Sequence, residues 1–217
     1  VLAPQNITEE QELALAYTPE ALRGKMVAFF ALDARLAQIA AKTTEPMLGQ
    51  MRLAWWRDML GTTKQDRPAG DEVLDAIGEH WNGQEASLVK LVDAWEILIA
   101  EEELSAEAIA RFGAGRAAPA AALSDPAQTR DRDRVLVAAM RWALADAASK
   151  ICNESERHAF VEAGLAQSAA NASLSKPLRG LAVLEALALR ALKRGGRPLM
   201  EGRGAALVAL RAGLIAR

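Results

Sequence analysis

Two aspartates one helical turn apart form the most explicit chemical pattern in the sequence, Asp71-Glu72-Val73-Leu74-Asp75. Carboxylates at i and i+4 share a helix face, and hard oxygen ligands suit a Mg²⁺ ion that bridges phosphates. The position of the pair argues against that use. It follows a turn-rich stretch from Gly61 to Gly70 and so falls in a first helical turn, where the helix dipole favours acids whatever their role. Glu101-Glu102-Glu103 reads as a solvated helix end. Asp146 and Lys150 stand four apart and read as an intrahelical ion pair. His80 and His158 are too far apart in sequence, and too unsupported, for a base or ligand pair. Cys152 lacks the neighbouring His or basic pair that marks a nucleophile. Gly113-Ala114-Gly115 follows a helical pattern and no strand, so it is not a phosphate-cradling loop.

The elements that would position any site are helical. The chain has 217 residues, 51 % of them hydrophobic and dominated by Ala and Leu, a helix-favouring composition. That length is enough for a substantial core, and the chain reads as one domain over residues 1–217. A net charge of −2 and a pI near 5.8 argue against a general nucleic-acid binder. The single cysteine excludes an internal disulfide, and with two histidines it excludes a Cys/His zinc cluster. No apolar run approaches the ~20 residues of a spanning helix, and the amino end lacks a signal-peptide core. The expectation is a cytoplasmic protein, with peripheral contact at the inner face of a membrane.

Thr8-Glu9-Glu10-Gln11 reads as a capping box that opens a helix through Tyr17. Thr18 as N-cap and Pro19 at the first position open a second helix, which runs to Lys42. A third follows Pro46. In it Met47, Met51, Trp55 and Met59 recur at i+4, and Leu48, Trp56 and Leu60 widen the apolar stripe. Adjacent tryptophans point about 100° apart on a helix, so this helix is expected to touch partners on two sides, as a central helix does. Further helices are expected over Asp71–Trp81, Glu85–Glu101, Ala106–Leu123, after the Asp125-Pro126 start, over Ser155–Gln167, from Ser175 to Gly195, and over Arg203–Ala216. No segment alternates with period two, so the fold class is all-α. The segment 178–217 carries +6, which leaves −8 on the rest. A basic segment with apolar stripes suits an anionic membrane or partner, and the surface expected to serve is Arg190, Lys193, Arg194, Arg203 and Arg211. The plainer alternative is a solvated helix pair.

The third helix also carries a resemblance. Pro46, Arg52-Leu53-Ala54-Trp55-Trp56-Arg57 and Leu60 resemble, in type and spacing, a helix of the squalene/phytoene synthase family. Phe29-Phe30-Ala31-Leu32 is similar to the helix before it. Leu91-Val92-Asp93-Ala94-Trp95-Glu96, Ala143 to Ala148 and Pro177 to Ala182 extend the resemblance over Leu22 to Lys193, strongest between Phe29 and Leu60. The resemblance implies an isoprenoid-synthase-like bundle of about 8–10 helices. It also implies head-to-head joining of two prenyl diphosphates, with two aspartate-rich motifs on facing helices holding Mg²⁺.

The sequence departs from that pattern at both motifs. The first should fall near Ala37 to Ala41, where no residue is acidic, and Asp33 lies one turn earlier. The second should fall near Ser149 to Asn153, where only Asp146 offers a carboxylate. The candidates that the resemblance supplies are therefore Asp33, Asp93 and Asp146 for catalysis, with no metal ligands assigned. Phe30, Trp55, Trp95 and Trp142 are its candidates for lining a ligand cavity.

Three readings follow. The first is a non-catalytic family member with no cofactor, acting as a scaffold. The family's respiratory complex I assembly factors, which share a lead similar to Pro46-Met47-Leu48-Gly49-Gln50-Met51-Arg52, set the example; its partner would be a protein of that kind or a prenyl or other apolar ligand. The second is an active Mg²⁺-dependent prenyltransferase. The third is an all-α protein that binds an apolar ligand or a membrane surface. No reading involves nucleic acid.

Overall fold

A computed structural model describes residues 7–124, 129–168 and 173–215. Ten α-helices and three 3-10 segments make up its regular structure, with no strand among the described residues. The expected start at Asp125-Pro126 lies outside them.

Helix α1 (Glu9–Ala16) opens as expected, with the Thr8 backbone N–H donating to Gln11 Oε1 at 3.0 Å. Helix α2 (Glu20–Lys42) differs from expectation at its start. Thr18 does not cap it; the hydroxyl donates backward to the Ala14 carbonyl at 2.8 Å. A buried hydroxyl is satisfied by a helix-end carbonyl, which here also accepts from the Tyr17 N–H at 3.1 Å.

Helix α3 (Pro46–Gly61) forms where Pro46 predicts it, and it buries Trp56 and Leu60 from the edge of the expected stripe while leaving Met47, Met51 and Trp55 of its centre outside. Gly49, Leu53, Trp56 and Leu60 are buried, whereas Met47, Met51 and Trp55 are 72 %, 64 % and 42 % exposed. The helix is peripheral and packs chiefly on α5 (Glu85–Ala100). Two apolar series interleave along α3, and Gly49 decides between them. A Cβ there would lie 2.7 Å from Thr43 Cγ2 and 3.0 Å from Ile99 Cδ1, so this side alone lets the backbone approach closely.

Helix α4 (Glu72–His80) is capped by Asp71, whose Oδ1 accepts from the Val73 and Leu74 N–H groups at 2.9 and 3.1 Å. That carboxylate is committed to the backbone, which disposes of Asp71–Asp75 as a metal pair. The expected helix over Ala106–Leu123 divides. Helix α6 covers Ala106–Ala117, and a 3-10 segment continues over Ala118–Leu123, where Pro119 removes an amide donor. Helices α7 (Thr129–Ala148), α8 (Glu154–Ala166), α9 (Arg179–Lys193) and α10 (Gly204–Ile215) complete the order. Two glycines at positive φ, Gly195 and Gly196, end the α9 turn.

The centre is built by α2, α5, α6, α7 and α9. Helix α5 packs on α2, α3 and α6; α7 packs on α6, α8 and α9; α1 and α10 flank α9. One continuous apolar core runs through all of them. The alanine-rich faces of α7 and α9, including Ala139, Ala143, Ala188 and Ala191, are buried and let the helices close tightly.

Candidate functional site: a buried arginine between two aspartates

Three charged residues occupy core positions on three helices. On α2, Asp33 follows Phe29 and Phe30 at helical spacing and precedes Leu36, all buried. On α7, Asp146 continues the series Ala139, Trp142 and Ala143. On α6, Arg116 continues Ile109, Phe112 and Gly113. Each series repeats at three- and four-residue steps, so packing an apolar stripe carries its one charged member inward.

They meet. Arg116 donates from Nε to Asp33 Oδ1 at 2.9 Å and from Nη2 to Asp33 Oδ2 at 2.6 Å, a two-pronged contact. The same Nη2 lies 2.7 Å from Asp146 Oδ2, and Nη1 donates to the Ala143 carbonyl at 3.0 Å. Trp95 Nε1 on α5 donates to Asp33 Oδ1 at 2.8 Å. Lys150 Nζ closes the network at 2.8 Å from Asp146 Oδ1. The expected Asp146–Lys150 pair is thus present as part of a larger assembly.

The guanidinium lies between aromatic rings, 5.0 Å from the Trp95 centroid and 4.7 Å from that of Trp142, with Phe112 at 5.9 Å. Side-chain exposures of 2 % for Arg116, 3 % for Asp33 and 5 % for Asp146 place the charges out of water. Burial opposes the Arg116 charge, but the carboxylates of Asp33 and Asp146 outweigh it and hold its pKa above the ordinary arginine value. Burial likewise opposes ionised Asp146, and Arg116 and then Lys150 outweigh it, so that carboxyl stays below the usual range.

These residues do not fit a Mg²⁺ site. Both Asp33 oxygens are taken by Arg116, Asp146 is shared between Arg116 and Lys150, and two indole rings flank the space. Two positive side chains already match two negative ones. A dication would enter only by expelling the guanidinium. Among the described residues, no group of three or more His, Cys, Asp or Glu is arranged to hold a metal ion.

The other sequence candidates lie apart. Asp93 is on the surface of α5, where its Oδ1 accepts from Arg57 Nε and Nη2 at 2.8 and 2.7 Å, and Glu96 joins at 2.5 Å. That cluster ties α3 to α5. Trp95 and Trp142 flank Arg116, and Phe30 packs on Trp142 with ring centroids 5.8 Å apart. Trp55 faces outward and stacks edge-on to Trp56 at 5.1 Å. A separate groove of about 1170 Å³ runs between the start of α2, α5, α6 and the 3-10 segment. Alanines such as Ala86, Ala94 and Ala118 line it, as do Lys25, Lys90, Arg111 and the candidate Asp93; none of the four aromatic candidates does. Lys193, Arg194, Arg203 and Arg211 are exposed, and Arg190 is half-buried beside Gly202 and Gly204.

Arg116 is absent from the residues singled out by sequence. Its one signal in the sequence is an arginine in step with Ile109 and Phe112.

The family model for squalene/phytoene synthase matches residues 7–132, more than half of the chain. The chain belongs to the squalene/phytoene synthase family. The matched stretch covers α1 to α6 and the start of α7; it includes Asp33 and Arg116, while Asp146 lies beyond it. The all-α architecture is the one that membership calls for. No curated protein and no solved structure matches the chain. Among the described residues, no helix is long and apolar enough to cross a membrane.

Proposed function

We propose that this member of the squalene/phytoene synthase family is non-catalytic and works as a scaffold. One observation carries the reading: the carboxylates nearest the two expected aspartate-rich positions, on α2 and α7, are bridged by Arg116. A prenyl diphosphate needs cations to neutralise its leaving group, and here the anionic anchors for such cations are consumed by a side chain. Breaking a buried pair of this kind leaves a charge stranded in the interior, so the bridge is a standing barrier to metal entry. The partner on this reading is a protein of the respiratory-complex assembly kind, which rests on the Pro46 to Arg52 resemblance, or an apolar ligand. The groove supports the apolar-ligand alternative, because it is open and most of its lining is apolar, with Lys25, Lys90, Asp93, Arg111 and Arg132 as its charged members.

Incubation with a prenyl diphosphate and Mg²⁺, followed by pyrophosphate release, tests the reading. The expected result is release no faster than in a protein-free control, and no Mg²⁺-dependent binding of inorganic pyrophosphate by calorimetry. Mg²⁺-dependent turnover that Asp33→Ala or Asp146→Ala abolishes would establish an active prenyltransferase instead.

A further inference from the structure

Helix α10 sits on its own chain by its smallest residues. Ala205, Ala209 and Gly213 are buried, and a Cβ on Gly213 would lie 2.3 Å from Tyr17 Cε1. Its large side chains point the other way. Leu207, Leu210 and Leu214 are 69 %, 48 % and 68 % exposed, and their spacing of three and four puts them on one face. Helices apolar on all sides are normally enclosed by protein or lipid; this one is enclosed on one side.

Charge in the segment that carries the leucine face is mostly of one sign. Arg203 precedes the helix and Arg211 adjoins Leu210, both exposed, and Lys193, Arg194 and Arg197 are exposed at the turn leading in. The two acids of the segment are occupied. Glu201 pairs with Arg194 at 3.1 Å and Arg197 at 3.2 Å. Glu185 is buried against Arg134 and Arg141 of α7.

We infer that the outer face of α10 docks on an anionic lipid surface, with the leucines entering the headgroup boundary and the arginines and lysine meeting lipid phosphates. Such a helix needs both signals, since modest apolar burial or a basic cluster alone binds weakly. A second copy or another protein fits less well. Three leucine side chains fall well short of the ~800 Å² per partner of a stable interface, and the face carries no aromatic anchor.

Co-flotation of the full chain with phosphatidylcholine vesicles, with and without phosphatidylserine, tests the inference. Binding is expected only with phosphatidylserine and should fall with added salt. Leu207→Ser with Leu214→Ser should lower the partition coefficient at least about tenfold, as should Arg203→Glu with Arg211→Glu. Circular dichroism melts check that both double variants stay folded, which their exposure favours. Failure to float with anionic vesicles overturns the inference. So does equal binding to neutral vesicles, or unchanged binding by both folded variants. A concentration-dependent dimer that the leucine variant dissociates would assign the face to self-association instead.

Discussion

Arg116→Met removes a charge while keeping an unbranched side chain between Trp95 and Trp142. Asp33 then loses both of its guanidinium contacts, at 2.9 and 2.6 Å, and retains the indole N–H of Trp95. Asp146 keeps Lys150, whose side chain is 57 % exposed and a weak substitute. Removing one partner of a buried ion pair costs about 3–5 kcal/mol. At roughly 2–4 °C per kcal/mol for a chain of this size, Tm should drop by about 6–20 °C. The triple variant Asp33→Leu, Arg116→Met, Asp146→Leu removes all three core charges together. It should recover most of that loss, because apolar replacement of a whole buried cluster is often neutral or stabilising by about 1–4 kcal/mol. Urea denaturation followed by circular dichroism, on the single and triple variants side by side, gives both numbers. The penalty of the single variant should also shrink as pH falls, because a stranded buried carboxylate is relieved by taking up a proton. A single variant within about 0.5 kcal/mol of wild type, the range of a neutral surface change, would refute the bridge as a core element. A triple variant no better than the single would refute the electrostatic explanation.

Three further outcomes follow. In the wild-type protein Asp146 has a folded-state pKa below its ordinary value, so the unfolded state binds more protons in acid; stability should be full above about pH 5 and decline as pH falls through the lowered pKa, in acid titration followed by fluorescence. Trp56→Ala should cost about 3–5 kcal/mol and Trp55→Ala, which loses its edge contact with Trp56, only about 0.5–1.5 kcal/mol; similar costs for the two would contradict the orientation of α3. Gly115→Val should destabilise by about 1–3 kcal/mol or more in urea melts, because a Cβ there would stand 2.7 Å from the Lys90 carbonyl oxygen of α5.

Where the sequence spoke through local chemistry it was easily read. Pro46 marked the start of α3, the Thr8 box opened α1, Asp71 served the start of α4 as its N-cap in place of a metal, and the Asp146–Lys150 pair formed on adjacent turns. What escaped depends on contacts between distant segments. Arg116 and Asp33 are 83 positions apart, and nothing near either one names the other. The face of α3 escaped for a related reason. Met47-Met51-Trp55 and Gly49-Leu53-Trp56-Leu60 are both good apolar series, and the neighbour that admits a glycine backbone settles the choice. A glycine heading an apolar series and an arginine in step with phenylalanine were the two available signs.

The linked guanidinium also has a bearing on how this protein could ever change. To place a metal centre here, the arginine must leave and further acids must arrive, yet any one of those steps taken first strands like charges in a dry interior. A lineage walking by single substitutions would cross poorly folded intermediates in either order. The tie therefore works as a ratchet, easier to keep than to undo.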